Sequence, residues 1–273
     1  MEENDMDKLN INGQMQQEFG RKIYKSQSDS ILCEIIEDDV SIDKADFIGA
    51  NNPKYSTETG LYTIGKQFIR LRDCTFRNFK GCAGLRVGCT VGTHSTFTAS
   101  DLLFLSNKIG FLSEERGEYV VIANSQFNGN QIAARIHGGN VQLTNCMIND
   151  NINGIEILGG SNDSHGIISN CQVNHNSGIA LLIDGISNGE TITSCHFYDC
   201  TIYIKNTINK PVRFNNCVIA GKLIIENSAK VIFSNCFFPR GYGLLDSIIS
   251  NTIVEGKNNE VEEKEIEKVF NTK

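Results

Sequence analysis

Between Leu143 and Ile183 one short pattern occurs twice. Leu-Thr-Asn-Cys-x-Ile-x-x-Asn-x-x-Gly-Ile, from residue 143, returns as Ile-Ser-Asn-Cys-x-Val-x-x-Asn-x-Gly-Ile from residue 168. A unit this short cannot bury its own apolar face, so it must stack on copies of itself. That requirement constrains the fold more than any other feature of the chain.

The register can be counted along the sequence. With the Cys of Asn-Cys as anchor, the anchors are Cys74, Leu102, Ser125, Cys146, Cys171, Cys195, Cys217, Cys236 and Thr252. Two residues later stand Phe76, Phe104, Phe127, Ile148, Val173, Phe197, Ile219, Phe238 and Val254, all apolar. Three residues earlier stand Leu71, Ala99, Ile122, Leu143, Ile168, Ile192, Phe214, Phe233 and Ile249, again all apolar. Inward positions three apart are out of phase for one straight strand. A bend must therefore lie between them. The residue before each anchor is Asp73, Asp101, Asn124, Asn145, Asn170, Ser194, Asn216, Asn235 or Asn251. Asn and Asp tolerate the left-handed backbone that such a bend needs. One rung then holds a strand, a sharp bend, a second strand, a looser turn, a third strand and a variable loop. The expected fold is all-β: a single-chain parallel β-helix of about nine rungs stacked ~4.8 Å apart.

The expected organisation is a cap or docking segment over 1–60, the β-helix over 61–256 and a charged tail or capping helix over 257–273. In the first segment Met15, Phe19, Ile23 and Tyr24 fall at helical spacing, which predicts a short helix on the first rung. Residues 31–60 read as irregular strands. A final spacing of 16 residues before Thr252 predicts a taper at the far end.

Composition narrows the function. A net charge of −7 argues against nucleic-acid binding by bulk electrostatics. Met1 is followed by Glu-Glu-Asn-Asp, not by a basic and then an apolar run, so synthesis in the cytoplasm without a signal peptide is expected. No apolar run reaches the length of a membrane span. The ten cysteines include no Cys-x-x-Cys pair and mostly occupy the anchor position. They read as reduced packing residues, with no metal site.

The rungs, with their Asn bends, resemble the right-handed parallel β-helix of the pectate-lyase superfamily, which includes NosD-like repeat proteins and phage tailspikes and appendages. The resemblance covers roughly residues 60–256 and implies a fold, with no one activity attached. It also implies that ligands lie along the outer face of the third strand. There the count turns Leu85, Val87, Ala134, Ile136, Ile155, Ile157, Ile179 and Leu181 inward. It turns Arg86, Leu112, Arg135, His137, Glu156, Leu158, Ala180, Tyr203 and Lys205 outward. Arg135 and Glu156 become neighbours on adjacent rungs. Arg86, Arg135, His137, Glu156, Tyr203 and Lys205 are the candidate ligand-binding residues, since Arg clamps carboxylates and Tyr offers a flat amphipathic face. Arg135, Glu156 and His137 are the candidates for catalysis.

Two functions of different classes follow. One is a structural or receptor-binding β-helix, such as a virion fibre, spike or appendage component, homo-oligomeric with a trimer favoured, with a cell-surface glycan as ligand. The other is a lyase or glycoside hydrolase acting on an acidic polysaccharide. Hydrolysis needs two carboxylates about 5–9.5 Å apart. Glu156 is the only acid on the strand, so Asp150, Asp163 or Asp184 would have to supply the second. β-Elimination would use Arg135 as base, with calcium held in part by Glu156 and Asp163 or Asp184. The binding reading is the favoured one.

Overall fold

The computed structural model describes residues 7–89, 95–114, 118–159, 166–228 and 231–239, together with the strands Ser247–Ile249 and Thr252–Val254. Its strands wind into a parallel β-helix of about nine turns with three walls. A central turn shows the plan. Val141–Thr144 lies in the first wall, Met147–Asn149 in the second and Asn153–Leu158 in the third. Each pairs in parallel with the next turn, through Leu143↔Ile168, Ile148↔Val173 and Ile155↔Leu181.

The predicted bends are present. Asp73, Asp101, Asn124, Asn145, Asn170, Ser194, Asn216 and Asn235 all have φ between 50° and 58°. Some of these side chains also bond along the stack: Asn145 Nδ2 donates to Asn124 Oδ1, and Asn235 Nδ2 to Asn216 Oδ1, both at 2.6 Å. Inside the rod like packs on like. Tyr24, Phe47, Phe76, Phe104 and Phe127 form one column with ring centroids 5.0, 4.8, 5.3 and 4.5 Å apart. On the turns that follow, the anchor residues Cys146, Cys171, Cys195, Cys217 and Cys236 are buried free thiols. They are packing residues, as expected; Cys146 Sγ, for example, donates to Thr144 O at 3.3 Å. Burial pushes the thiol of the earlier anchor Cys74 up to about 12, which keeps it protonated and inert.

A second set of asparagines, at the turn between the second and third walls, points inward. Asn107, Asn130, Asn151 and Asn176 are each at most 3% exposed and bond to one another in series. Beyond this turn the strand enters the third wall through a tight approach. A Cβ on Gly154 would lie 2.2 Å from the carbonyl oxygen of Ala180 on the next turn, which explains the Gly of the repeat.

Several expectations are corrected. The helix drawn through Met15, Phe19, Ile23 and Tyr24 is an antiparallel hairpin of Gln14–Glu18 and Arg21–Lys25. Phe19 and Gly20, with φ of 48° and 76°, make a two-residue turn of the primed kind. Only Ile23 and Tyr24 of the four reach the core. The caps in the described residues are therefore strands. The parallel ladder also starts earlier than counted, at Lys22↔Ala45 and Ile31↔Thr59, so residues 31–60 contribute regular rungs. At the far end Thr252–Val254 is not a further parallel rung. It runs antiparallel to Val231–Ser234, while Ser247–Ile249 runs antiparallel to Cys236–Phe238. Sixteen residues are too few to wind a full turn, and the chain doubles back instead. Leu9–Ile11 likewise pairs antiparallel with Ile31–Ile35, so reversing strands cover edges at both ends of the rod. The 257–273 tail lies outside the described residues. Among those residues no helix is long and apolar enough to cross a membrane.

Candidate functional site

Strand register places the outward side chains of the third wall in columns. One column runs Glu34, Tyr62, Arg86, Leu112, Arg135, Glu156, Leu182, Tyr203 and Ile224. Alongside it run His137, Leu158, Asp184, Lys205 and Glu226. All six predicted ligand-binding residues lie on this face. One assignment is corrected: Leu182, not Ala180, follows Glu156, and Ala180 is buried. The turn after Asn176 carries one residue more than the turn after Asn151. The ladder absorbs it as an irregularity between Ile179 and Leu181. The slip moves Ile179 out of the core, where it is half-buried, while Leu181 stays inside.

From Arg86 onward the acids on this wall are paired. Arg135 Nε donates to Glu156 Oε2 at 2.7 Å, and Asn153 Nδ2 to Glu156 Oε1 at 3.2 Å. Glu156 is only 6% exposed, so this pair holds a carboxylate that would otherwise be buried uncompensated. Arg86 donates through Nε to Glu114 at 3.0 Å and lies over the Tyr62 ring at 4.9 Å. Burial pulls the Arg86 guanidinium pKa down, but the Glu114 bond and charge more than offset it and leave the group above its ordinary value. Burial lifts the Tyr62 phenol. Further along, Tyr203 donates to Glu226, and Lys205 reaches Asp184 at 3.2 Å while sitting 5.3 Å from the Tyr203 centroid.

Tyr62, Glu114 and Glu226 escaped the sequence reading. Tyr62 belongs to a rung that precedes the counted register, and Glu114 and Glu226 stand at the exits of third-wall strands. Of the acids that could partner Glu156, Asp163 lies outside the described residues and Asp150 sits at the turn after the second wall. Asp184 is on the next rung, but it is bound to Lys205 and Asn206. Of the acids considered for calcium that are described, Glu156 is closed by Arg135 and Asn153, and Asp184 is bound to Lys205 and Asn206. Among the described residues no three His, Cys, Asp or Glu side chains gather into a cation shell.

The paired charges flank an open cleft of about 400 Å³ lined by Ser56, Cys82, Lys108, Leu112, Glu114, Arg135 and His137. Its floor is apolar, with Ile109 and Leu112 packed on Ala83. Arg135 uses only Nε in its ion pair, so its two terminal amino groups bond to no described residue. Lys108 Nζ donates to Gly81 O at 2.8 Å. Ser56 is held in place by Asp29, whose carboxylate accepts the N–H groups of Ser56, Thr57 and Glu58 at 2.7–3.0 Å. These bonds hold the Asp29 carboxyl at about 2, below the usual carboxylate range. A depressed folded value stabilises above the unfolded value of ~3.9, and the gain is lost as pH falls through the folded one. Hydrogen exchange should therefore show Ser56, Thr57 and Glu58 protected at pH 5. Their protection should fall toward pH 2, and Asp29→Asn should show the low-pH pattern at pH 5. Unchanged protection in the variant would contradict this anchoring role.

A solenoid with a continuous apolar core and a polar, cleft-bearing third wall defines a β-helix domain suited to carbohydrate binding or to a structural role. The model of the right handed beta helix region matches residues 87–238, more than half of the 273, and the chain belongs to that family. No curated protein and no solved structure matches the chain.

Proposed function

We propose that this protein is a non-catalytic β-helix whose third wall binds an acidic glycan, and that it serves as a receptor-binding or structural element of a larger assembly. A virion fibre, spike or appendage is the setting that its resemblance to tailspikes and appendages suggests, with three copies as the favoured oligomer. One observation carries the reading. Each acid seen on the described third wall beyond Glu34 is already engaged: Glu114 by Arg86, Glu156 by Arg135 and Asn153, Asp184 by Lys205, and Glu226 by Tyr203. Acid–base catalysis needs a carboxylate poised on the substrate. A binding face needs oriented donors over an apolar floor, and the cleft beside Arg135 has them.

Titration calorimetry with oligouronates against the full chain tests this. Binding is expected without unsaturated product or new reducing ends. Exchanging the pair for neutral groups, Arg135→Gln with Glu156→Gln, should weaken binding about tenfold, or ~1.4 kcal/mol, with the fold retained. Turnover that disappears in the Glu156→Gln variant would replace this reading with the lyase or hydrolase. Light scattering addresses assembly, where a monomer at all concentrations would remove the trimer.

A further inference from the structure

Two exposed aromatic residues border the first wall in left-handed backbone conformations. Phe68 and Tyr119 each immediately precede a first-wall strand, and both have left-handed backbones, with φ of 59° and 54°. Both are more than half exposed, at 54% and 56%. Register puts them at one corner of the rod. Ile69 and Val120 both pair with Phe97, so Thr96 lies between Phe68 and Tyr119 in the same column. The corner is held by hydrogen bonds to the neighbouring turn. Phe68 N–H donates to Thr96 Oγ1 at 2.9 Å, and Phe97 N–H to Tyr119 O at 3.1 Å. Two rungs separate the aromatic residues, or ~9.6 Å along the rod.

A left-handed backbone costs a side chain with a Cβ about 1–2 kcal/mol, least for Asn and Asp. The same column uses Asp39 at φ 54° one rung below Phe68, whereas Thr96 and Asn140 lie outside the left-handed region. Large rings at two such positions gain little burial in return. Strained, exposed residues of this kind point to function.

Beside this corner lies a second cleft of about 490 Å³, bordered by Arg70, Arg72, Thr98, Ser100, Val121 and Ala123. It exists because outward side chains shrink from rung to rung. Arg70 gives way to Thr98 and then Val121, and Arg72 to Ser100 and then Ala123. The two arginines form one rim, and their charge is matched by Asp39 at 3.2 Å and Asp43 at 3.0 Å.

We propose that this corner and cleft form a second binding site, for an extended neutral β-linked oligosaccharide. A pyranose presents a flat C–H face that packs on an aromatic ring. In an extended β-linked chain each hexose advances by about one rung, and alternate units turn the same face the same way. Rings two rungs apart in one column match that repeat. Thr98, Ser100 and the arginine guanidinium groups supply hydroxyl partners. The matched rim charges favour a neutral ligand, in contrast to the third-wall cleft, where Arg135 keeps unused donors.

The test is calorimetric titration of the full chain with cellohexaose, mannohexaose and chitohexaose. Binding of at least one is expected. Phe68→Asn and Tyr119→Asn, which restore the residue type suited to this backbone, should each weaken it tenfold or more while melting at the same or a higher temperature. The third-wall variant Arg135→Gln/Glu156→Gln should bind the neutral oligosaccharide unchanged, which separates this site from the acidic-glycan face. The proposal is overturned if no neutral oligosaccharide binds at millimolar concentration, if both Asn variants bind like the parent, or if only the third-wall variant loses binding.

Discussion

Replacing Asn151 with alanine should destabilise the rod by about 3 kcal/mol, more than its position in a turn would suggest. Asn151 is 2% exposed. Its Nδ2 donates to Phe127 O at 2.9 Å, Asn149 O at 3.0 Å and Asn176 Oδ1 at 3.0 Å. Its Oδ1 accepts from the main-chain N–H and the Nδ2 of Asn130, both at 2.9 Å. Alanine removes all of these side-chain bonds and leaves a buried N–H on Asn130 without an acceptor, and each such orphan costs ~1–3 kcal/mol. Asn151→Asp sharpens the point. It keeps the acceptor but turns donors aimed at carbonyl oxygens into a buried charge, so it should be at least as damaging at pH 7 and partly relieved in acid. The exposed bend residue gives the contrast. Asn145→Ala should cost only the left-handed backbone term of about 1–2 kcal/mol, and Asn145→Gly close to nothing. Urea titrations of the four variants would rank these effects, and an Asn151→Ala loss no larger than that of Asn145→Ala would show that the inner ladder is dispensable.

Both asparagines stand in the repeat that made the fold legible, but they were not equally readable. Asn145 sits where two inward positions fall out of phase, so its bend follows from counting. Asn151 carries no such phase signal, and its inward direction depends on the turn geometry. The third-wall pair of Arg135 and Glu156 was legible for the same reason as the bends, since two rungs with equal turn lengths keep register. The next rung broke it with a single extra residue, because a bulge is invisible to a pattern that counts only apolar positions. The hairpin at Gln14–Lys25 was misread because its apolar residues happen to fall at helical intervals. A turn of Phe19 and Gly20 also lacks the usual Asn-Gly signature. At the other end, Thr252 satisfied the three-position pattern. No pattern of side chains distinguishes a strand that continues in parallel from one that folds back on the edge.

Cutting the aromatic column at Phe104 should have the largest effect of any single change, because a solenoid passes stability along its length only from each turn to its neighbours. Phe104 is fully buried between Phe76 at 5.3 Å and Phe127 at 4.5 Å. Phe104→Ala should therefore cost about 3–5 kcal/mol from lost transfer energy and the cavity left behind. The loss falls on two stacking contacts at once, so the turns on either side also lose their coupling. Unfolding should separate into two transitions, with amides around Tyr24 and Phe47 keeping protection that those of the neighbouring turns lose. Phe104→Leu, which leaves a smaller void, should lose less and keep one transition. The damage should also reach the third wall. A Cβ on Gly110 would come within 3.2 Å of Phe104 Cβ, so the strand Ile109–Ser113 packs directly over this ring. That strand carries Leu112 of the cleft floor and follows Lys108. Oligouronate binding should thus fall in Phe104→Ala at temperatures where the rest of the rod is still folded. Binding that survives in step with global unfolding would mean the cleft does not depend on the column beneath it.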